Sequence, residues 1–425
     1  MLDIKFIREN AELVKKNIKK KFQEDKIILV DKVIEKEQKY KELLKKSEDI
    51  RHKRNQVSMD INRLKKDGKP VKALLKYAKE IPEKIKEIEE KTNKLRQEIK
   101  EILYQIPNII HESVPIGKSD KENVEIEKIG KTKKFKFEIK SHAEIAEELG
   151  LVDFESSANT SGKGFYFLKG DLALLNMALI NFARDYMVKQ GYLYIEPPLM
   201  IRENVLTGVY SKAEIDEMSY KIEGEDLFLI ATSEHPLIGQ YIGKTLDIGN
   251  LPIKLTGYSM CFRKEVGAHG VDERGLYRTH QFNKQEMIVI CKPEESYKFY
   301  DEMLGHSKKI FKQLEIPIRV FECCFGDLAD LKTKSADLEA WSPRRNEYFE
   351  VCSCSNLTDA QSRRLNLKVS DGKEKFFPHT LNNTVIATSR ALVAILENNQ
   401  NEDGSVDIPK VLVPYMNGVK KLEKK

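Results

Sequence analysis

Arginine, acid and glycine are packed densely into one stretch of the chain. Cys261-Phe262-Arg263-Lys264-Glu265 leads, past Gly267 and Gly270, into Asp272-Glu273-Arg274-Gly275-Leu276-Tyr277-Arg278-Thr279-His280-Gln281-Phe282 and then Glu286. A guanidinium is a planar, permanently charged fork that binds two oxygens at once, so such a run suits phosphate or carboxylate chemistry. Arginine alternating with acid between two strand-like runs also describes an ordinary cross-strand salt bridge. Residue types alone leave both readings standing.

If a nucleotide is the ligand, two common ways of holding it are missing. The chain has neither G-x-x-x-x-G-K-[ST] nor a strand-linked G-x-G-x-x-G, so the P-loop and dinucleotide folds have no support. Zinc is also disfavoured. The six cysteines, Cys261, Cys291, Cys323, Cys324, Cys352 and Cys354, supply a vicinal pair and a C-x-C but no C-x2-C spacing, so no structural zinc is expected and reduced thiols are.

The elements that must position these residues fall into two parts. At 425 residues two domains are the natural prior. The net charge of +6 is unevenly spread: residues 1–110 hold 30 Lys+Arg against 20 Asp+Glu, residues 51–80 alone hold 10 against 3, and residues 111–425 are net negative. The basic excess is laid out as a phosphate-binding surface would be, or as a solvated lysine-rich helix face.

Within that basic part, Tyr40, Leu43, Ser47, Ile50, Arg54, Val57, Ile61 and Leu64 recur at steps of three and four. The pattern resumes after Lys66-Asp67-Gly68-Lys69-Pro70 as Leu74, Ala78, Ile81, Ile85, Ile88, Thr92, Leu95, Ile99, Ile102 and Ile106. Two heptad helices joined by a Gly/Pro turn must run antiparallel, each roughly 50 Å long at about 1.5 Å per residue. Pro82 predicts a kink or a fresh start near Ile81. A hairpin of this kind serves dimerisation or spacing; Arg51, Lys53, Arg54, Arg63, Lys65, Lys66 and Lys69 towards its far end favour RNA contact instead.

A polar link over 111–140 then leads to a domain spanning 141–425. Here strand-like runs (194–195, 227–230, 287–290, 318–321 and 348–352) mix with amphipathic helices at 172–190, 295–313 and 385–397. Helices come in clusters and do not follow every strand, which predicts an α+β domain with a largely antiparallel sheet. No run approaches the roughly 20 apolar residues that span a bilayer, and the start MLDIKFIREN lacks an apolar signal core, so a cytoplasmic protein without membrane contact is expected.

F-R-x-E followed by R-G-L-x-R-x-H-Q-F resembles motif 2 of the class II aminoacyl-tRNA synthetases, in the form found in seryl-tRNA synthetases. Gly191-Tyr192 through Pro197-Pro198 resembles the dimer-forming motif 1. Leu381-Asn382-Asn383-Thr384 leading to Arg390 and Glu397 resembles motif 3, in its archaeal and eukaryotic form. Thr232-Ser233-Glu234 and Glu350-Val351-Cys352-Ser353-Cys354-Ser355-Asn356 match two further elements of that family, and the antiparallel arm completes a resemblance covering essentially the whole chain. Cys352 and Glu273 depart from the family's usual serine and threonine.

The resemblance implies a class II catalytic domain behind a tRNA-binding coiled-coil arm, and the formation of seryl-adenylate from L-serine and ATP, followed by transfer to tRNA(Ser) and, where it exists, tRNA(Sec). Arg263 would bridge the α-phosphate and the carboxylate, and Arg390 would clamp the γ-phosphate. Lys264, Glu265, Thr279, His280, Gln281 and Phe282 would line the ATP site; in isolation Phe282 reads as an ordinary core aromatic, and only its place in the H-Q-F run overturns that. Glu350, Val351, Cys352 and Ser353 would flank the phosphates, with Glu350 and Ser353 holding Mg2+. Thr232, Glu234, Glu286, Asn382 and Thr384 would take serine. A homodimer is implied, with the arm gripping tRNA by shape and backbone charge. A relative that loads a carrier protein, or a catalytically dead RNA-binding homologue, are the competing readings.

Overall fold

The computed structural model describes residues 1–265 and 275–424, so Asp272, Glu273 and Arg274 of the arginine-rich run lie outside the described residues. The chain divides into two compact units, Met1–Ile109 and Ile110–Lys425.

The first unit is helical: α1 (Ile4–Glu9), α2 (Ala11–Lys20), α3 (Ile27–Lys66) and α4 (Lys72–Gln105). Ile7, Val14, Ile18, Val30, Val33, Leu103 and Ile106 form its core at the base of the arm. Further out, the heptad positions account for the contacts: Ser47, Ile61, Ile81, Ile85 and Thr92 are buried, and Arg54 alone among the named seam positions is exposed. The turn closes through Gly68 at φ +67°, with the Lys69 amide donating to the Leu64 carbonyl at 2.9 Å. Glycine adopts that left-handed conformation without strain.

Of the kink or fresh start expected at Pro82, the fresh start is absent, since α4 runs through it as one 34-residue helix. Ile81 and Ile85 on either side are buried, and packing of the seam outweighs the one hydrogen bond that proline removes.

The second unit is built on an eight-stranded sheet. Its strands are β1 (Val124–Ile129), β2 (Leu193–Ile195), β3 (Ile253–Phe262), β4 (Gln281–Cys291), β5 (Ile318–Glu322), β6 (Lys334–Ser342), β7 (Glu347–Asn356) and β8 (His379–Ala387). The order is β1-β5-β6-β7-β8-β4-β3-β2, antiparallel throughout except that β2 runs parallel to β3. The fold is thus α+β, as the clustering of helices predicts.

Two expectations need correction. Residues 111–140 are not simply a link, because they include the edge strand β1 and belong to the second unit. Short and solvated, with Val124 and Ile126 exposed and alternating with its glutamates, the strand reads as linker; Glu127 pairs with Lys308 at 2.8 Å and Glu125 with Arg319 at 3.6 Å. Secondly, the last major helix is Thr388–Asn398, and residues 385–387 belong to β8, where Val385 and Ile386 are buried strand residues.

Alternation along β4 sets the layers. Met287, Val289 and Cys291 enter a large core with the helices Gly170–Lys189, Ser296–Gln313 and Thr388–Asn398, whereas Ile288 and Ile290 enter a second cluster with Leu206, Leu237 and Leu365. Period-two side-chain alternation requires this division. Among the described residues, no helix is long and apolar enough to cross a membrane.

Candidate active site

Phe282, Lys284 and Glu286 share the β4 face that carries Ile288 and Ile290, and line a cleft of about 430 Å³. Strand β3 runs alongside in unbroken register, Cys261 opposite Phe282 and Gly257 opposite Glu286, and delivers Arg263 just past its end. On the other side, β8 contributes Asn382 and Thr384 to the cleft while Asn383 turns inward to the Met303 carbonyl at 2.9 Å.

Glu350 and Ser353 reach the cleft from β7 although three residues apart, a spacing that sends side chains to opposite faces of a regular strand. The register shifts where Glu339 faces Glu350 and Leu338 faces Cys352. The extra residue, Val351, re-aims the strand, as β-bulges do. Cys352 consequently belongs to the core, its thiol 4.0 Å from the Val385 carbonyl.

At one end of the cleft Glu234 accepts from the Asn382 amide at 2.8 Å and from Gln361 at 3.1 Å. Burial, reinforced by the Glu286 charge, pushes its carboxyl up to about 7. Thr232 donates to Glu286 at 3.0 Å, and Lys284 forms an ion pair with the same carboxylate. This end therefore offers carboxylates and amides of the kind that would hold an ammonium and a small hydroxyl.

At the other end, Arg390 lies 3.1 Å from the Glu350 carboxylate and donates to its carbonyl at 3.0 Å. Burial would raise the Glu350 carboxyl, but Arg390, helped by Lys284 and Lys332, outweighs it and holds the group below the usual range. Burial alone would weaken Arg390's hold on its proton, but Glu350 and Tyr277 keep it firmly charged. Arg263 lies over the Phe282 ring at 5.2 Å and Arg390 over Tyr277 at 5.3 Å. Two fixed guanidiniums facing one cavity make an oxyanion site.

The cleft thus gathers Arg263, Glu265, Thr279, Phe282, Glu350, Val351, Ser353 and Arg390 with Thr232, Glu234, Glu286, Asn382 and Thr384. Lys264, His280, Gln281 and Cys352 are not among its lining residues. Lys264 donates to the Asp216 carbonyl at 3.2 Å, and Gln281 approaches the Met260 sulfur at 3.6 Å. The His280 ring sits 3.0 Å from the Arg263 carbonyl and 3.1 Å from the Tyr220 hydroxyl, bracing the strand pair behind Arg263.

Sequence reasoning missed Lys284 and Lys332. Lys284 was legible, since it lies midway between Phe282 and Glu286 on the same strand face. Lys332 sits in an irregular segment whose spacing carries no signal; its ammonium is 3.5 Å from the Ser353 hydroxyl. Asp337 nearby is raised to about 6 by burial and by Glu350.

On the arm, Arg51, Lys53, Arg54, Arg63, Lys65, Lys66 and Lys69 are all exposed. Arg51 is engaged with Glu89 at 2.5 Å and Arg63 with Asp60 at 3.1 Å.

Residues 218–399 match the family described as the tRNA synthetase class II core domain (G, H, P, S and T), and residues 1–110 match the seryl-tRNA synthetase N-terminal domain. A serine–tRNA ligase of Methanocella arvoryzae is 46% identical over 99% of this chain and 100% of its own length. That of Pyrococcus abyssi is 42% identical, over 98% and 96%. Among solved structures, seryl-tRNA synthetase from Pyrococcus horikoshii complexed with ATP superposes with a TM-score of 0.93 at 40% identity, covering 100% of both chains. The cytoplasmic serine–tRNA ligase of Naegleria fowleri in complex with AMP gives 0.88 at 38% identity, covering 100% and 99%.

Proposed function

Because this chain belongs to the seryl-tRNA synthetases of class II, we propose that the cleft between β3, β4, β7 and β8 is where it activates serine. Its reaction is that of a serine–tRNA ligase: L-serine and ATP give seryl-adenylate and pyrophosphate, and the serine then passes to the 3′ end of tRNA. The observation that carries the site assignment is the polarity of the cleft, with Thr232, Glu234, Glu286 and Asn382 at one end and Arg390 with Glu350 at the other.

The serine carboxylate must attack the α-phosphorus while both partners are negative, so positive charge has to be in place beforehand. In our reading Arg263 bridges the carboxylate and the α-phosphate, and Arg390 holds the γ-phosphate, exchanging its contact with Glu350 for the substrate. Phe282 stacks on adenine and Glu265 accepts from its amino group. Thr232, Glu234 and Glu286 receive the ammonium and hydroxyl, with Asn382 and Thr384 closing the pocket. Losing the substrate hydroxyl would leave such groups unpaired, so alanine is rejected strongly.

Glu350 and Ser353 present hard oxygen donors on one side of the cleft, a set that fits Mg2+. Bound there with ATP, the ion would shield the charge of the departing pyrophosphate.

The arm would take the long variable arm of tRNA(Ser), and tRNA(Sec) where present, through the lysines at its far end. The proposal includes a cytoplasmic homodimer. Its support is a set of exposed apolar side chains, Leu174, Met177 and Val188 on the helix Gly170–Lys189 and Leu193 on the edge strand β2, between 47% and 64% exposed. Such patches mark association surfaces.

Amino-acid-dependent ATP–pyrophosphate exchange tests this reading. Exchange with serine is expected. Exchange with another amino acid but not serine overturns it, and no exchange at all favours a catalytically dead homologue.

A further inference from the structure

Behind the cleft, outside every residue assigned above, lies a fully buried polar chain. Ser342 on β6 donates to Glu397 at 2.5 Å, the other Glu397 oxygen lies 3.0 Å from Nδ1 of His142, and the Leu276 amide donates to Nε2 of His142 at 3.1 Å. Side-chain exposure is 5% for His142 and 1% for Glu397. Because Nε2 accepts, Nδ1 must carry the proton and donate to Glu397, which fixes one tautomer.

The chain joins two parts of the site, the helix that carries Arg390 and the segment that begins at Leu276. Glu397 is on the same helix as Arg390, Thr388–Asn398. Leu276 immediately precedes Tyr277, Arg278 and Thr279, which line the cleft, and the Tyr277 ring lies beneath Arg390. The ring of His142 comes so close that a Cβ on Gly275, itself at φ +143°, would meet Nε2 at 2.3 Å. The glycine in the arginine-rich run is therefore required by His142.

We propose that His142 is a positioning residue for adenylate formation, setting the wall Tyr277–Arg278–Thr279 relative to Arg390 through its bonds to Leu276 and Glu397. This rests on the site assignment above. Anchoring a buried amide at one point fixes the residues that follow it, and a misplacement of about 1 Å near reacting groups costs up to about 100-fold in rate.

Two substitutions separate the roles of the two nitrogens. In His142→Asn the amide replaces Nδ1 and still donates to Glu397, but nothing accepts from Leu276. In His142→Gln the longer side chain brings an amide oxygen to the place of Nε2. Serine-dependent ATP–pyrophosphate exchange, KM for ATP and for serine, and melting temperature are measured for both beside the wild type. For His142→Asn we expect kcat to fall about 10-fold and KM for ATP to rise, with KM for serine nearly unchanged; His142→Gln recovers most of the loss. Wild-type kinetics in His142→Asn overturn the inference. So does a uniform loss in both variants that follows melting temperature, which marks a purely structural histidine. Absence of exchange in the wild type instead sinks the site assignment and is read separately.

Discussion

The Asn382 side chain donates to Oε1 of Glu234 at 2.8 Å, across the gap between β8 and the short helix Glu234–Gly239. That bond favours the charged carboxylate, yet burial and Glu286 push Glu234 up to about 7. Below that pH the free site holds a proton that an incoming ammonium must displace. KM for serine is therefore expected to climb as pH falls through 7, approaching tenfold per unit on the acid side. The stability sign is the opposite of a salt-bridged acid: the folded state binds this proton more tightly than the unfolded chain. The contribution is full below the ordinary carboxylate range and is lost as pH rises through about 7. Glu234→Gln should flatten both profiles, and a wild-type serine KM independent of pH between 6 and 8 would sink the assignment.

Arg390 carries the second expectation. Replacing it with alanine removes a guanidinium held in place before substrate arrives, so exchange should fall by about 10²- to 10³-fold with a raised KM for ATP. Arg390→Lys should recover little, because a point charge cannot reproduce the fork. Steady-state exchange kinetics at varied ATP decide it; a change confined to KM for serine would move Arg390 to the other end of the cleft.

How far the site could be read from sequence depends on the local geometry of each strand. Along β4 the alternation is regular, so Phe282 and Glu286 on one face were legible, and Lys284 should have been. Along β7 it is not regular: the bulge at Val351 brings Glu350 and Ser353 together, and no period in the sequence announces it. The arm seam was legible because heptad spacing repeats over many turns, and one proline could not override it. The edge strand β1 was hidden because its Val-Glu-Ile-Glu alternation is only four residues long, sits in a Lys- and Glu-rich stretch, and buries neither face, with Val124 45% and Ile126 51% exposed. In the chain from Ser342 to Leu276, side-chain bonds join His142 to Leu276 and to Glu397, 134 and 255 positions away, which only the folded structure reveals.

Lys284 supplies a third test. Glu286 is 2% exposed and has Lys284 as its ion-pair partner, so Lys284→Met leaves a buried carboxylate with the Thr232 hydroxyl as its donor among the described residues. Breaking a buried pair from one side costs about 3–5 kcal/mol. Thermal unfolding should show a loss of that order, and the double variant Lys284→Met/Glu286→Gln should regain most of it while exchange with serine stays low. Equal melting temperatures for the single and double variants would mean the pair does not hold Glu286 in place.

The arm makes the cleanest separation of functions. Arg51 and Arg63 are engaged with Glu89 and Asp60, so they offer less to an RNA phosphate than the exposed Lys65 and Lys66 at the end of α3. Reversing both to glutamate removes two phosphate contacts without disturbing any buried group, and the melting temperature should hold, since exposed substitutions stay within about 0.5 kcal/mol. Serine-dependent exchange needs no tRNA and should be unchanged. Charging of tRNA(Ser) should weaken, most at low salt, and the slope of log affinity against log salt should become shallower by roughly 0.7–0.9 per lost contact. Loss of exchange alongside charging would show that the arm does more than grip RNA, and unchanged charging would place the RNA elsewhere.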